Sequence, residues 1–419
     1  MFIERSVLLF ITKNSRSKII ISIIGILVIL GIAYLFSENK NAINIKIVVM
    51  AFLLQFLIAI FSLHLEFGKL IVKKLSNGAR YIIDFSQEGV GFVFGPLASE
   101  WSFAINALPV IIFLSSLTAV LYHLKIMQFF VNIIGGALKK ILGTKIIESM
   151  NAAANIFLGM DSSPLAVKPY LTSINNAQMF AIMVSGLASV AGTVLLAYAQ
   201  MGAQLEYLLA ACFMSAPGGL LMAKIIMPDT KVKDSEEVIN LNSVESPHNN
   251  IIMAAAQGAS DGIKLAVSIG GMLIAFVALI ALTNSIFIAF GSIFGIEDLT
   301  MQKILGWIFS PLMFLLNIPW HEAQAAGALF GEKLILNEFV AFSHLTEYLA
   351  GMSEKTTVIV TFALCGFANF ASIAILMGSI GILIPDKNEF IAKYGLKAVL
   401  AASLANLMSA AFAGLLYGL

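Results

Sequence analysis

Charged residues are scarce in this sequence, and their scarcity argues against a soluble domain. Only 12% of the 419 residues are Asp, Glu, Lys or Arg, while 59% are hydrophobic; soluble domains carry about 25% charged residues. The formal net charge of +1 gives no electrostatic reason to expect a nucleic-acid partner. The composition is that of a chain that crosses a lipid bilayer several times.

Cysteines are few, and motifs of soluble enzymes are lacking. The two cysteines, Cys212 and Cys365, lie in apolar segments without metal-ligand spacing, which argues against a disulfide framework. The sequence contains no Gly-rich phosphate loop, no His-Glu-x-x-His motif and no credible nucleophile–base pair. These absences argue against an enzyme.

Long apolar runs are abundant, and a membrane span needs about 20 such residues. None of the runs alternates as a barrel strand does, so we predict an all-α polytopic membrane protein with about eight transmembrane helices. The first run ends without a cleavage site and is therefore predicted to be a span, not a signal peptide, while the flanking basic residues leave its orientation open. The predicted spans are Ile19–Phe36, Ile47–Leu65, Ile105–Tyr122, Met179–Ala199, Tyr207–Met227, Leu265–Phe290, Val358–Ile384 and Ala398–Leu416.

The polar segments divide the chain into four regions. The segment Gly68–Glu88 mixes apolar and basic residues, which predicts an amphipathic helix at the membrane interface or, as the alternative, a solvated loop helix. The regions are residues 1–104 with the first spans and this helix, residues 105–228 as a first repeat, residues 229–250 as a hydrophilic linker, and residues 251–419 as a second repeat with a span at about 265–290 and further spans to 417.

Two polar, helix-breaking segments interrupt otherwise apolar sequence. They are Gly159-Met160-Asp161-Ser162-Ser163-Pro164 and Ile318-Pro319-Trp320-His321-Glu322. Broken backbone at membrane depth persists only where it is buried in protein or lines a wet cavity. We therefore predict two re-entrant helical hairpins, at about 129–175 and 305–345, the first with Phe129–Leu142 and Ala152–Leu158 as its arms. The alternative for the first is a plain extramembrane loop.

A short internal match supports an inverted repeat. The segment Gly186–Gly192 and the segment Gly366–Ser372 share the pattern Gly, apolar, Ala, polar, apolar, Ala, small, and each follows one of the breaks. Paired breaks in related halves are typical of a solute site at the bilayer midplane in secondary transporters. The alternative is two ordinary spans whose small residues serve helix packing.

A few polar side chains are candidates for contact with a solute. Glu338 follows the apolar Leu334–Leu336 closely and could accept hydrogen bonds from sugar hydroxyls, unless it pairs with Lys333 or Lys355. An unwound segment between Gly366 and Ser372 would let Phe367, Asn369 and Ser372 converge. His321 could carry a coupling proton and Glu322 could cap a half-helix or contact the solute.

Several of these segments together resemble the concentrative nucleoside transporter family, from about Gly25 to the C-terminus. The motifs are Asn151-Ala152-Ala153-Ala154-Asn155-Ile156-Phe157, Gly186-Leu187-Ala188-Ser189, Ala216-Pro217-Gly218-Gly219-Leu220, Asn337-Glu338-Phe339 and Cys365-Gly366-Phe367-Ala368-Asn369. The resemblance implies a cation–nucleoside symporter of the bacterial inner membrane. It also implies a homotrimer of eight-span protomers with two re-entrant hairpins, interfacial helices and both termini outside.

The resemblance also implies roles for individual residues. Glu338 and Asn369 would bind ribose hydroxyls, Ser372 and Phe367 would line the same pocket, and Val194 would pack on the base. Asn155 and Ser189 would supply side-chain oxygens to Na⁺, together with the carbonyls of Leu158 and Val190. Hard oxygen ligands suit such a cation.

One motif departs from the family pattern. The family typically has Gly-Gln-Thr/Ser-Glu-x-Pro-Leu at the first hairpin, where this chain has Gly159-Met160-Asp161-Ser162-Ser163-Pro164-Leu165. The amide that reads the base has become Met160, the Glu has become Ser162, and a carboxylate reappears at Asp161. In the second hairpin His321 replaces the more usual Asn. We therefore predict a substrate with a ribose and an altered base preference.

The leading hypothesis is Na⁺-coupled nucleoside import by alternating access. Alternatives are proton coupling through Asp161 or His321, an intramembrane enzyme with Asp161 and Glu338 as an acid–base pair, and a passive channel. The sequence disfavours the enzyme because no phosphate- or metal-binding constellation accompanies the carboxylates.

Overall fold

The computed structural model describes residues 15–229 and 249–417, and within them every regular element is a helix. Most of the predicted linker, residues 230–248, lies outside the described residues. The α-helices, numbered in chain order, are α1 Ser15–Leu35, α2 Ile45–Leu63, α3 Glu66–Phe94, α4 Leu108–His123, α5 Ile126–Leu142, α6 Ile146–Leu158, α7 Asn176–Ala188, α8 Gly192–Gln200, α9 Leu205–Ile226, α10 Ile251–Ile293, α11 Met301–Leu315, α12 Trp320–Ile335, α13 Glu338–Leu349, α14 Glu354–Leu364, α15 Ala371–Leu383 and α16 Asn388–Leu416.

Seven helical segments within the described residues are long and apolar enough to cross a membrane, or up to eight if a bent pair is counted as one span. This confirms the predicted all-α membrane fold. The predicted span Val358–Ile384 is not a continuous helix, because residues 365–370 separate α14 from α15. The bent pair is α11 and α12, whose axes are bent by 117° relative to a straight helix.

The spans differ in how far they are buried in the protein. The segments Asn176–Gln200, Leu205–Ile226 and Pro385–Leu416 each have 89% of their apolar window buried, against 17% for Ile251–Ile293. Helices α7, α9 and α16 pack on one another and form the centre of the bundle. The long helix α10 packs mainly against α4 and leaves most of its apolar surface on the outside, as a span that faces lipid does.

Small residues permit the close packing of α10 on α4. A Cβ atom added at Gly258 would lie 2.6 Å from Ala119 Cβ, and one at Gly262 would lie 2.7 Å from Ile112 Cα. Neither position has room for a larger side chain. Gly258 and Gly262 therefore fix how closely these two helices approach.

Helix α3 is the amphipathic element expected around Gly68–Glu88. It runs over 29 residues from Glu66 to Phe94, and Val72, Ile83 and Val90 are buried on one side. Tyr81 and Phe85 are exposed on the other side. This helix packs against α2 and α9.

Two helical hairpins turn back within the chain. In the first, α6 ends at Leu158, the chain turns through Gly159–Ser162, and a 3-10 helix from Ser163 to Ser173 packs back on α6. Gly159 has φ +79°, a conformation that L residues with a side chain rarely adopt. In the second hairpin α12 ends at Ile335, and α13 begins at Glu338.

The arms of the first hairpin differ from the prediction. Helix α5, which contains Phe129–Leu142, is not an arm of the turn at Gly159; it meets α6 at a separate turn where Gly143 has φ +75°. In the second half, the predicted break at Ile318–Glu322 is present: it joins α11 to α12, which are bent by 117° and pack on each other. A further break at Leu336 and Asn337, between α12 and α13, was not predicted.

Two broken spans meet at the centre of the bundle. One is interrupted between α7 and α8 at Ser189–Ala191, and the other between α14 and α15 at Cys365–Phe370. The backbone N–H of Phe367 donates to the carbonyl of Ser189 at 3.2 Å. The two matched motifs of the sequence are therefore in direct main-chain contact.

The order of elements repeats along the chain. Helices α4 and α5, the first hairpin, the broken span α7–α8 and the long helix α9 are followed by α10 and α11, the second hairpin, the broken span α14–α15 and the long helix α16. Each hairpin precedes its broken span by a few residues. This order is what an internal repeat requires.

Candidate functional site

Both hairpin turns and both broken spans line one cavity. Its volume is about 760 Å³, which is large enough for a nucleoside-sized molecule. The first hairpin contributes Met160, Asp161 and Ser162, the second contributes Asn337 and Glu338, and the outer wall comes from α4 and α10. The predicted site residues that line this cavity are Leu158, Met160, Asp161, Ser162, Val194, Glu338, Phe367, Asn369 and Ser372.

Glu338 holds a buried carboxylate at the first turn of α13. Asn337 caps this helix by accepting a hydrogen bond from Val340 N–H at 2.9 Å, which is why the helix begins here. Glu338 is 3% exposed. One carboxylate oxygen accepts a hydrogen bond from Tyr198 Oη at 3.1 Å and the other accepts one from Asn369 Nδ2 at 3.0 Å. Two polar groups from distant segments thus fix its orientation.

The break after α14 brings the other predicted polar residues to the same place. Asn369 Oδ1 accepts hydrogen bonds from Ser372 N–H at 2.9 Å and Ser372 Oγ at 3.0 Å. Phe367 is half-buried and lines the cavity beside them. The expected convergence of Phe367, Asn369 and Ser372 through an unwound segment is present in the structure.

Lys333 does not neutralise Glu338 by a direct ion pair. Its ammonium, fully buried, donates to Asn406 Oδ1 at 2.8 Å and to the carbonyl of Ala363 at 3.2 Å. Among the described residues neither Lys333 nor Lys355 forms an ion pair with Glu338. The carboxylate therefore keeps lone pairs that the hydroxyl donors of a ligand could use.

At the turn of the first hairpin, the side chain of Met160 is buried and that of Asp161 is exposed. Met160 is 4% exposed and packs toward Gly186, where an added Cβ atom would lie 3.1 Å from Met160 Cβ. Asp161 is exposed to the cavity. Its recorded side-chain partner is Ser162 Oγ, 3.4 Å away. The base-side function predicted for Gly159, Met160, Asp161 and Ser162 stays a prediction.

The segment around Asn155 has the donor set for a small hard cation. Asn155 is fully buried, and its Nδ2 donates to the carbonyls of Ser185 and Gly186 at 2.7 and 3.2 Å. Its Oδ1 has no hydrogen-bond partner, and buried acceptors without a partner are uncommon. A cation would satisfy this oxygen, so the residue fits the predicted Na⁺ site.

The remaining predicted cation ligands lie at the break of the first broken span. Ser189 and Val190 are buried, and Ser189 Oγ donates to the carbonyl of Val190 at 3.3 Å. Leu158 ends α6 directly before the hairpin turn. The oxygens of Leu158, Ser189 and Val190 as Na⁺ ligands stay a prediction.

His321 and Glu322 lie away from the cavity. His321 is 79% exposed at its side chain and faces Glu322 at 3.3 Å. Glu322 accepts hydrogen bonds from Ser353 N–H at 3.1 Å and Ser353 Oγ at 2.9 Å, next to the start of α14. Neither residue lines the cavity, so a role in solute contact has no geometric support.

Three residues at or beside the cavity were not predicted from the sequence. Tyr198 contacts Glu338 across 140 positions of sequence, and Asp261 reaches the cavity from α10. Asn406 on α16 donates to the carbonyl of Ala188 at 2.7 Å and to that of Cys365 at 3.0 Å, so it bridges both broken spans. Asn406 is an amide within the predicted span Ala398–Leu416, and this is the one signal that could have drawn attention to it.

Three family models match consecutive parts of the chain. The model described as "Na+ dependent nucleoside transporter N-terminus" matches residues 24–97, the one described as "Nucleoside recognition" matches residues 104–205, and the one described as "Na+ dependent nucleoside transporter C-terminus" matches residues 207–414. Together they cover almost all of the described residues.

Curated relatives match over nearly the full length. The chain is 47% identical to an uncharacterized transporter, YutK, of Bacillus subtilis, over 94% of this chain and 98% of that protein. It is 46% identical to the nucleoside permease NupC of Helicobacter pylori, over 95% and 98%. It is 33% identical to human solute carrier family 28 member 3, over 98% of this chain and 61% of that protein.

Solved structures of one protein, CNTnw, share the fold in more than one state. Its inward-facing substrate-bound structure has a TM-score of 0.91 at 44% identity, covering 96% of this chain and 98% of that chain. A variant in an outward-facing state has a TM-score of 0.92 at 45% identity, covering 96% and 99%.

Proposed function

This chain belongs to the concentrative, Na⁺-dependent nucleoside transporter family, and from that premise we propose that it imports nucleosides by symport with Na⁺. It is a multi-pass membrane transporter and not an enzyme. The alternating states recorded for CNTnw support a mechanism in which the cavity opens to one side of the membrane at a time.

The hydrogen-bonded cluster of Glu338, Asn369 and Ser372 carries the proposal. A buried carboxylate that is oriented by Tyr198 and Asn369 can accept hydrogen bonds from a pair of ribose hydroxyls, and such charge-assisted bonds are strong. We therefore assign Glu338 and Asn369 to the ribose hydroxyls, with Ser372 and Phe367 lining the same pocket.

The base would occupy the part of the cavity between the first hairpin and α8. Val194 lines this part and would pack on the base. Gly159, Met160, Asp161 and Ser162 would face its edge, where the residues depart from the family pattern. Met160 is nearly buried but lines the cavity, so it would present only a small apolar surface to the base, and Asp161 would offer a polar group.

Na⁺ is the coupling ion that the buried oxygens favour. The unpaired Oδ1 of Asn155, Ser189 Oγ and the carbonyls of Leu158 and Val190 would hold it, and the ion would supply positive charge close to both breaks. Coupling to H⁺ is the alternative, because Asp161 places an ionisable group in the cavity.

Uptake into proteoliposomes tests this function. Labelled nucleosides should accumulate above the external concentration under an inward Na⁺ gradient at equal pH, and the accumulated solute should be recovered unmodified. Accumulation driven by a proton gradient in the absence of Na⁺ would instead establish coupling to H⁺. Equilibration without accumulation under either gradient would indicate a passive channel and contradict symport.

We further propose that the protein forms a homotrimer in the bilayer. The largely exposed apolar surface of Ile251–Ile293 is compatible with lipid and with a neighbouring protomer. Native mass spectrometry of the detergent-solubilised protein would give the number of chains, and a monomer at all detergent concentrations would contradict the trimer.

A further inference from the structure

Three carboxylates line the cavity, and they differ in how many partners they have. Glu338 is held by Tyr198 and Asn369. Asp261 accepts hydrogen bonds from Gln257 Nε2 at 3.1 Å and from Lys264 Nζ at 3.2 Å. Asp161 has Ser162 Oγ at 3.4 Å, a distance at which a hydrogen bond is weak.

Within the described residues, Asp161 is thus the one of these three carboxylates without a close side-chain donor from beyond its adjacent residue; its partners are Ser162 Oγ and the backbone N–H groups of its own turn. Lys168 lines the same cavity, but among the described residues it forms no ion pair with Asp161. An exposed carboxylate on the wall of a solute site is available to a ligand that brings its own donors.

The position of Asp161 is fixed by its turn. Gly159 has φ +79°, and a Cβ atom there would lie 2.6 Å from Ala191 Cβ, so the hairpin turn rests directly on the break between α7 and α8. Asp161 follows two residues later and enters the cavity from a different element than Glu338 does. A nucleoside whose ribose is at Glu338 would extend its base toward the rest of the cavity, where Asp161 lies.

The chemistry of a carboxylate selects among the bases. An ionised carboxylate only accepts hydrogen bonds, and two parallel bonds to one carboxylate need two adjacent donors. Guanine has such a pair, N1–H and the N2 amino group, on its Watson–Crick edge. Uracil has one donor between two carbonyls, hypoxanthine lacks the amino group, and adenine and cytosine set their amino group beside an acceptor nitrogen.

We propose that Asp161 is a specificity-determining residue that binds the N1–H and N2 amino donors of guanine, so that guanosine-type nucleosides are the preferred substrates. This inference rests on the proposed function, because it requires that a nucleoside occupies the cavity with its ribose at Glu338. It goes beyond that function by naming the base and the atoms that are read.

Competition between guanosine and inosine tests the proposal, since the two differ only in the N2 amino group. Uptake of labelled adenosine into proteoliposomes would be inhibited by each, and the ratio of their inhibition constants measured. We expect guanosine to compete about tenfold better than inosine, which corresponds to about 1.4 kcal/mol. In Asp161→Asn the amide replaces one acceptor by a donor, and the ratio should fall to about one.

Asp261→Asn is the matched control. It removes the same charge from the same cavity but from a carboxylate that is already hydrogen-bonded on α10, so the guanosine-to-inosine ratio should remain at its wild-type value. A size-exclusion profile and a melting temperature in detergent equal to those of the wild type show that Asp161→Asn is folded, and direct binding of guanosine and inosine to the purified variant gives the ratio if its uptake is slow. A wild-type protein that does not distinguish guanosine from inosine, or an Asp161→Asn variant that keeps the wild-type ratio, would overturn the inference. Absence of any nucleoside accumulation by the wild-type protein would instead overturn the proposed function.

Discussion

The two repeats place related helices around one cavity but equip them with different chemistry. On α6 of the first repeat, Asn155 donates to the carbonyls of Ser185 and Gly186 in the last turn of α7. On α12 of the second repeat, Lys333 donates to the carbonyl of Ala363 in the last turn of α14. Each residue lies a few positions before its hairpin turn.

The difference lies in charge. Asn155 is neutral, and its Oδ1 has no hydrogen-bond partner, whereas Lys333 is itself a buried cation whose partners include Asn406 Oδ1. The first repeat thus has an acceptor that a cation would satisfy, and the second repeat supplies its own positive charge near Glu338. The two halves therefore offer different chemistry beside the cavity: an unpaired acceptor in the first and a buried positive charge in the second.

The largest effect is expected in the second repeat, at Glu338. Replacing Glu338 with Gln leaves one acceptor oxygen for the two donors that now reach the carboxylate, Tyr198 Oη and Asn369 Nδ2, and removes the charge offered to ribose. Hydrogen bonds to charged groups contribute about 1.5–3 kcal/mol, so the apparent KM for nucleosides should rise about 10- to 100-fold. Concentration-dependent uptake in proteoliposomes measures this.

Glu332→Gln is the control for Glu338→Gln. Glu332 is also fully buried, but it bonds Gln302 and His344 away from the cavity, so its replacement should leave the apparent KM unchanged in folded protein. Unaltered affinity in Glu338→Gln would show that the ribose is bound elsewhere.

The next effect is expected in the first repeat, at Asn155. Replacing Asn155 with Ala removes the unpaired Oδ1, and with it one proposed cation ligand. The Na⁺ concentration for half-maximal uptake should rise about tenfold, equivalent to about 1.4 kcal/mol. Asn151→Ala is the comparison, because Asn151 lies one turn earlier, donates to Ser185 Oγ at 3.1 Å and also has an Oδ1 without a hydrogen-bond partner; its Na⁺ dependence should stay at the wild-type value. Equal Na⁺ dependence in Asn155→Ala and wild type would remove Asn155 from the cation site.

A smaller effect, on stability, is expected from Lys333→Met. This change removes a buried charge, which by itself favours folding, but it leaves Asn406 Oδ1 and the carbonyl of Ala363 without their donor. Each unsatisfied buried acceptor costs about 1–3 kcal/mol, so the net result should be a lower melting temperature in detergent. Lys333→Gln, which restores one donor, should recover part of the loss. A melting temperature equal to or above that of the wild type in Lys333→Met would show that the ammonium is not needed to join α12 to α16.

The smallest effect is expected at His321. Its side chain is 79% exposed and its recorded partner is Glu322, and exposed substitutions usually change stability by less than about 0.5 kcal/mol. His321→Ala should therefore retain the uptake rate and its dependence on pH. A change in the pH profile would place a proton carrier at the α11–α12 bend and weaken the contrast between the two repeats.

Hydropathy and helix-breaking residues were enough to predict the membrane spans and some of the breaks in them. The spans, the turn at Gly159–Ser162 and the unwound segment at Gly366–Ser372 follow from apolar runs, from glycine and from polar residues within them. Val358–Ile384 was predicted as one span because Cys365, Phe367 and Phe370 keep its hydropathy high, and only Gly366, Asn369 and Ser372 indicated that it unwinds in the middle. The break near Pro319 follows from its proline, whereas the second break near Asn337 was missed because Leu334–Phe339 contains neither proline nor glycine.

The candidate site was predicted less completely than the fold. Glu338 and Asn369 are recognisable as polar residues in apolar sequence, but Tyr198 and Asn406 reach them from distant helices. Contacts of this kind depend on how helices pack, and periodicity along one helix carries no information about the partner helix. Asp161 was visible as a departure from the family motif, yet its exposure to the cavity and the burial of Met160 required the structure.

The hydrogen bond from Phe367 N–H to the Ser189 carbonyl has an energetic consequence for the proposed symport. It joins, main chain to main chain, the segment that we assign to the ion and the segment that we assign to the sugar, so a shift in one would be transmitted to the other through the backbone. Thermodynamic reciprocity then requires that an ion which improves nucleoside affinity by some factor is itself held more tightly by that same factor when the nucleoside is present. At this contact, only a substitution that deletes the peptide N–H, such as Phe367→Pro, could uncouple the two ligands.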